Sequence, residues 1–289
     1  MFQTYLEKVR QNKPVIHAIT NYVTAGACAN MLLACGASPI MADDPLEAAE
    51  ISRVCHGLVL NMGTFSQSRL EAMMAAGKEA NQLGHPIVLD PVGIGASEFR
   101  SKGAQRLLEN LNISAIRGNL SEIRTLTNVL LKIRDKGWET EQRNRGVDVS
   151  FSDVITKNTL GDTIDLAKRL AQAADCVVVI TGEIDVAADS RQAVCIYNGH
   201  EMMKTVTGTG CQLSSLIAAF LAADRMDRKP SNPILAAAAA TMSIGICGEQ
   251  AWHMKRPGEG NAAFGNAMID AMYCLDAASL ERDGRYEIQ

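Results

Sequence analysis

Four short stretches carry residue types able to handle a phosphorylated ligand, and three of them close or follow a run of apolar residues. Leu89-Asp90-Pro91-Val92-Gly93-Ile94-Gly95 ends one run, Arg117-Gly118-Asn119-Leu120-Ser121-Glu122 continues a second and Thr181-Gly182-Glu183 a third, while Val206-Thr207-Gly208-Thr209-Gly210-Cys211 precedes the apolar segment Leu213-Leu221. In the last stretch, glycines interleaved with threonines let successive backbone N–H groups turn into one concavity at a helix start. Gly208, Thr209 and Gly210 are therefore a candidate anion hole. The same Thr-Gly-Thr-Gly is also a plain capping turn. Asp90 and Glu122 give it company: each stands at or just after a strand-like run, where two carboxylates can hold a magnesium ion, directly or through water, as it bridges phosphate oxygens. Taken singly, Asp90 before Pro91 forms a turn and Glu122 caps a helix.

These residues need elements to position them. Val15-Ile19, Leu58-Asn61, Ile87-Asp90, Ala115-Arg117 and Val177-Thr181 read as strands, and Val177-Val178-Val179-Ile180 is apolar at every position, as in parallel sheets covered on both faces. Between them Pro45-Val54, Gln67-Leu83, Gly103-Asn110, Ser121-Leu131 and Asp162-Ala174 have helical periodicity with polar starts. Val186-Asp189 and Ala193-Tyr197 flank Ser190-Arg191-Gln192 as an antiparallel hairpin, and a helical C-terminal third is expected from Gly210 onward. In a mostly parallel α/β sheet, ligands bind beyond the carboxyl ends of the strands, where Asp90, Arg117 and Thr181 fall. His200 and Glu201, just before the glycine-rich stretch, read as turn residues.

The chain of 289 residues is 47% hydrophobic and 21% charged, which suits a globular protein with a large core and excludes disordered and fibrous classes. A single domain over residues 1–289 is expected, with the charge-rich segment 132–157, around Gly137, Trp138 and Gly146, as a solvated connection or flap. The formal net charge of -4 supplies no global field for nucleic acid or anionic lipid, so neither is an expected partner. Eight cysteines without a C-x-x-C pair suit buried thiols in a reducing compartment, and the N-terminus lacks the ordered regions of a signal peptide, so a cytoplasmic location is expected. The alanine-rich stretch Pro233 to Gly248 reads as too short and too small in side chain to span a bilayer.

Other nucleotide signatures are missing. Gly77-Lys78 is followed by Glu79, Gly208-Thr209-Gly210 leads to Leu213, and Gly93-Ile94-Gly95 leads to Glu98, so neither the P-loop nor the dinucleotide fingerprint occurs. The five histidines lack the H-x-x-x-H spacing of a catalytic zinc centre.

The ordered set Asp90-Pro91-Val92-Gly93, Arg117 to Glu122, Thr181-Gly182-Glu183 and Thr207 to Cys211 resembles the hydroxyethylthiazole kinases of the ribokinase-like superfamily. The likeness runs over nearly the whole chain, through Asn21-Tyr22-Val23-Thr24, Ala29-Asn30, Gly36 to Ala42, Leu60 to Thr64, Pro257-Gly258 and Phe264. It implies a ribokinase-like α/β fold, with a largely parallel central sheet flanked by helices and a small antiparallel hairpin. It further implies phosphorylation of the primary alcohol of 4-methyl-5-(2-hydroxyethyl)thiazole by ATP with magnesium, a salvage step toward thiamine, in a homotrimer with substrate sites between neighbouring subunits. By this resemblance Met41 contacts the thiazole, Arg117 and Thr181 contact ATP, Gly208 contacts substrate, Cys211 is catalytic, and Asp90 and Glu122 are the magnesium-associated acids.

Two departures matter. The segment around Trp138 to Arg143 is longer than the family pattern leads one to expect, and Cys211 stands where the wider superfamily commonly has aspartate. A helix N-terminus lowers a thiol's pKa from ~8.5 and nearby phosphates raise it, leaving the balance open. Another small-alcohol kinase of the superfamily, such as one acting on hydroxymethylpyrimidine, and a non-catalytic thiazole- or nucleotide-binding paralogue are the competing readings.

Overall fold

The computed structural model describes residues 2–134, 155–156, 158–227 and 230–289, with the side chains of 132–134 excepted. Most of the charged segment 132–157, including Trp138 and Gly146, lies outside the described residues. Six parallel strands form the main sheet: β1 (Val15–Ile19), β2 (Ser38–Ile40), β3 (Gly57–Asn61), β4 (Ile87–Asp90), β5 (Ala115–Asn119) and β6 (Val177–Thr181). β7 (Asp185–Ala188), β8 (Ala193–Ile196) and β9 (Tyr286–Ile288) then add on antiparallel, giving the order β2-β1-β3-β4-β5-β6-β7-β8-β9. The expected hairpin is β7–β8, with Val186 opposite Cys195.

Side-chain alternation assigns each strand residue to one of two cores. Val177 and Val179 of β6 face one hydrophobic cluster, and Val178 and Ile180 face the other. The first cluster is closed by α1 (Gln3–Asn12), α2 (Ala25–Cys35), α8 (Thr209–Met226), α9 (Pro233–Met254), α10 (Asn261–Cys274) and α11 (Ala277–Arg282). The second is closed by α3 (Ala48–Val54), α4 (Gln67–Leu83), α5 (Glu98–Asn110), α6 (Leu120–Arg134) and α7 (Leu160–Ala174). Burial on both faces explains why β3, β4 and β6 read as apolar runs up to their polar last residues, while β1 is interrupted by the buried His17.

Differences from the sequence expectations fall mainly at edges. β2 carries Pro39, which cannot donate to a ladder and is tolerated because β2 ends the sheet. β9 interrupts the expected helical C-terminal third; three residues give no periodicity to read. α3 starts at Ala48 rather than Pro45, and α5 at Glu98 rather than Gly103, where Ser97 Oγ accepts the Arg100 N–H as a helix cap. The stretch expected to be too short for a bilayer belongs to a 22-residue helix, α9, long and apolar enough to cross one by length and composition. Its small side chains, Ala236 to Ala240 among them, are instead buried between α8, α10 and the sheet.

Candidate active site

The carboxyl ends of the parallel strands form one rim, joined by hydrogen bonds from strand to strand. Asn21, two residues past β1, donates from Nδ2 to Asn61 Oδ1 at 3.0 Å. Asn61, the last residue of β3, donates from Nδ2 to Asp90 Oδ2 at 2.8 Å. Arg117 of β5 approaches Asp90 Oδ2 at 3.8 Å with Nη1 and donates from Nη2 to Thr181 Oγ1, the end of β6, at 2.6 Å. The amides of Asn21 and Asn61 also point at Cys211 Sγ, at 3.3 and 3.2 Å, and Ser214, one helical turn on from Cys211, donates to Asp90 Oδ2 at 2.8 Å. Asp90, Arg117, Thr181 and Cys211 are thus brought together by residue types that belong at strand ends and a helix start.

Local sequence explains the packing of the glycine-rich stretch. α8 begins at Thr209 with Gly208 as its N-cap at φ +85, and no side chain caps it. Its first-turn amides therefore lack partners of their own helix, as an anion hole requires. A Cβ on Gly208 would collide with the Thr24 methyl group, and a Cβ on Gly210 with the Arg117 guanidinium. Gly210 is what lets Arg117 lie across the helix start.

Burial, reinforced by the Asp90 charge, pushes the Cys211 thiol up, against the hydrogen bonds and the Arg117 charge that favour the thiolate. Burial likewise raises the Asp90 carboxyl against the pull of Arg117. Glu122 is a different case. Its Oε1 accepts the Gly93 N–H and its Oε2 the Asn119 N–H, each at 3.0 Å, while Asn119 Oδ1 accepts the Glu122 N–H at 2.8 Å. That reciprocal pair is a capping box on α6, and it ties the loop after β4 to the end of β5.

The donor set decides whether magnesium suits these acids. Among the described residues no group of three His, Cys, Asp or Glu side chains is placed to hold a metal. Asp90 Oδ1, however, is buried with no hydrogen-bond partner, and each Glu122 oxygen keeps a lone pair beyond its amide. Magnesium is characteristically held by one or two carboxylates together with water and substrate phosphates, and the pair fits that pattern.

Beside the rim opens a cavity of about 560 Å³, lined by Arg117, Thr181, Thr209 and Gly210 on one side and by the segment around His200 and Met203 on the other. Asp185 also lines it; burial pushes its carboxyl up to about 7, although Oδ1 accepts the Gly182 N–H at 2.9 Å. His200 is a turn residue, as expected: its Nδ1 accepts the Met202 N–H at the start of a 3-10 helix, Glu201–Thr205. It also stacks on Trp252, with centroids 4.2 Å apart, and faces the cavity, which the turn reading missed. Met41 follows β2 at the sheet edge and is 37% exposed, and it takes no part in the hydrogen bonds of the rim.

Sequence reading gave no role to Asn21, Asn61 or Ser214. The available signal was a lone asparagine ending the otherwise apolar run Leu58-Val59-Leu60-Asn61, buried completely in the fold.

A family model described as "Hydroxyethylthiazole kinase family" matches residues 6–278. A hydroxyethylthiazole kinase of Clostridium acetobutylicum is 42% identical over 99% of each chain, and one of Methanobrevibacter smithii is 37% identical over 98% of this chain and 95% of its own. The structure of the hydroxyethylthiazole kinase protein from Pyrococcus horikoshii OT3 superposes with a TM-score of 0.83 at 30% identity, covering 100% of this chain and 98% of its own. At 14% identity and a TM-score of 0.58, the pyridoxal kinase from Staphylococcus aureus shares the fold, with 96% of this chain and 98% of that chain covered. Sequence and fold agree: the chain belongs to the hydroxyethylthiazole kinase family.

Proposed function

We propose that the protein phosphorylates the primary alcohol of 4-methyl-5-(2-hydroxyethyl)thiazole with ATP, giving the thiazole phosphate used in thiamine salvage. The observation that carries this is the hydrogen-bonded rim from Asn21 through Asn61 and Asp90 to Arg117 and Thr181, with Cys211 beside it and the cavity alongside.

Phosphoryl transfer needs the alcohol and the leaving oxygen in line and the moving charge stabilised, with little covalent work for the protein. The cavity receives the nucleotide, with Arg117 and Thr181 as its contacts and the first-turn amides of Gly208, Thr209 and Gly210 receiving the developing negative charge. Asp90 and Glu122 are the residues that would hold magnesium, and the ion would supply charge neutralisation on the phosphates. Cys211 is the candidate proton acceptor for the alcohol; the Asn21 and Asn61 amides stabilise negative charge on its sulfur, while burial opposes it.

The alcohol site lies between neighbouring subunits of a homotrimer. Support comes from the exposed apolar side chains Tyr22 (73%) and Val23 (69%), which follow the rim residue Asn21, and from the exposure of Met41 after β2, side chains that a second copy would cover. Residues 1–289 act as one domain, consistent with a single sheet running from β2 to β9. The cytoplasm is the proposed location, in keeping with eight cysteines that are all free thiols.

An ATP-consumption screen over heterocyclic alcohols, with mass detection of the phosphorylated product, tests the assignment. Phosphorylation of the thiazole alcohol in preference to hydroxymethylpyrimidine is expected. Preference for the pyrimidine would move the activity to another alcohol, and ATP binding without any product would make the protein a sensor.

A further inference from the structure

The wall of the cavity facing Arg117 is built on α9, and none of the site residues above accounts for it. Asn198, Gly199 and Met203 line that wall. Behind them, Gly245 and Gly248 stand one turn apart on α9, and Glu249 follows on the same side of the helix. A Cβ on Gly245 would lie 2.8 Å from both Asn198 Cβ and the Asn198 carbonyl oxygen, and one on Gly248 would overlap Met203 Sδ. Glycine at both places lets the wall segment rest directly on the helix backbone.

Glu249 then fixes the segment laterally. Its Oε1 accepts the Gly199 N–H and Arg285 Nη2, each at 2.7 Å. Its Oε2 accepts Arg285 Nη1 at 3.2 Å and Asn198 Nδ2 at 3.3 Å. Asn198 closes the network by donating to the Asp283 carbonyl at 3.0 Å and accepting the Arg285 N–H at 2.7 Å. Gly199 has φ +136, a conformation that other residues rarely adopt, so the bend is held by glycine and by the carboxylate together.

We infer that Gly248 and Glu249 are positioning residues that set the depth and shape of the nucleotide end of the cavity through Met203 and Gly199, and so govern nucleotide affinity and base preference. The inference rests on the assignment of this cavity to ATP.

Steady-state kinetics of the full chain, with melting temperatures, test it on Gly248→Ala, Glu249→Gln and Asp224→Asn. Alanine favours a helix more than glycine does, so Gly248→Ala keeps the fold while displacing Met203. Asp224, which accepts Lys8 Nζ at 2.6 Å at the far end of α8, serves as a control for lost stability. Both α9 variants are expected to raise the KM for ATP about tenfold and to narrow the preference for ATP over GTP, with kcat and the alcohol KM changed less than about twofold. Asp224→Asn is expected to lower the melting temperature with the KM for ATP unchanged. Unchanged ATP KM in both α9 variants of an active enzyme overturns this inference alone, as does an equal shift in Asp224→Asn. Wild-type enzyme that neither binds nor consumes ATP overturns the cavity assignment together with it.

Discussion

At the scale of single residues, the site concentrates groups whose ordinary acidity the fold has altered. Cys211 is the clearest: a thiol raised by burial and by Asp90 is mostly protonated at neutral pH. Base catalysis by such a group is worth no more than ~10²- to 10⁴-fold, so Cys211→Ala is expected to retain measurable turnover in a coupled ATP assay. Cys211→Asp is expected to stay active; a folded, ATP-binding but inert Cys211→Asp enzyme would remove the proton-accepting role. Asp185 yields a pH prediction. Its carboxyl titrates at about 7 in the fold against an ordinary value of 3.8, so ionising it costs the folded state. Stability from this group is full below 3.8, declines as pH rises and is lost above about 7, where its charge would also face the phosphates of the nucleotide proposed for the cavity. The KM for ATP should therefore climb as pH passes about 7 in the wild type, and the climb should flatten in Asp185→Asn, whose amide oxygen still accepts the Gly182 N–H. Equal pH profiles for the two proteins would show that Asp185 does not reach the nucleotide.

At the scale of elements, Glu122 caps the start of α6 and is also one of the two acids proposed for magnesium. Glu122→Gln keeps only one acceptor oxygen for the Gly93 and Asn119 amides, so a loss of about 1 kcal/mol in urea-determined stability is expected from the cap. It should also raise the magnesium concentration needed for half-maximal rate; an unchanged magnesium dependence would leave Glu122 as a cap only. Much of this was legible beforehand. Ile87-Asp90 and Val177-Thr181 announced β4 and β6 because runs buried on both faces are apolar throughout, and the Thr207 to Cys211 glycines marked the start of α8. Illegible were the contacts made between distant elements. Nothing local in Asn21 or Asn61 records that both amides converge on Cys211 Sγ, and nothing in His200 records its stacking on Trp252. β2 and β9, with three residues each, are strands only because a neighbour offers them an edge.

At the scale of the whole molecule, the strand order separates two sets of residues. β2, β1 and β3 bring Met41, Asn21 and Asn61, and β5 to β8 bring Arg117, Thr181, Asp185 and the wall resting on α9. The first set lies beside the exposed apolar side chains, so Val23→Asp is expected to sediment as a monomer, to bind ATP and to lose phosphorylation of the alcohol. A trimeric, fully active Val23→Asp enzyme would place the subunit contact elsewhere.

The direction of the chain reverses at Thr181, and β7 returns Asp185 to the same end of the sheet that β6 has just reached. On the proposed assignment, donor and acceptor ends lie on separate territories joined at Asn61, which donates to both Asp90 and Cys211. If that assignment holds, substitutions on the acceptor territory would trade one alcohol for another and leave the phosphate-handling territory intact.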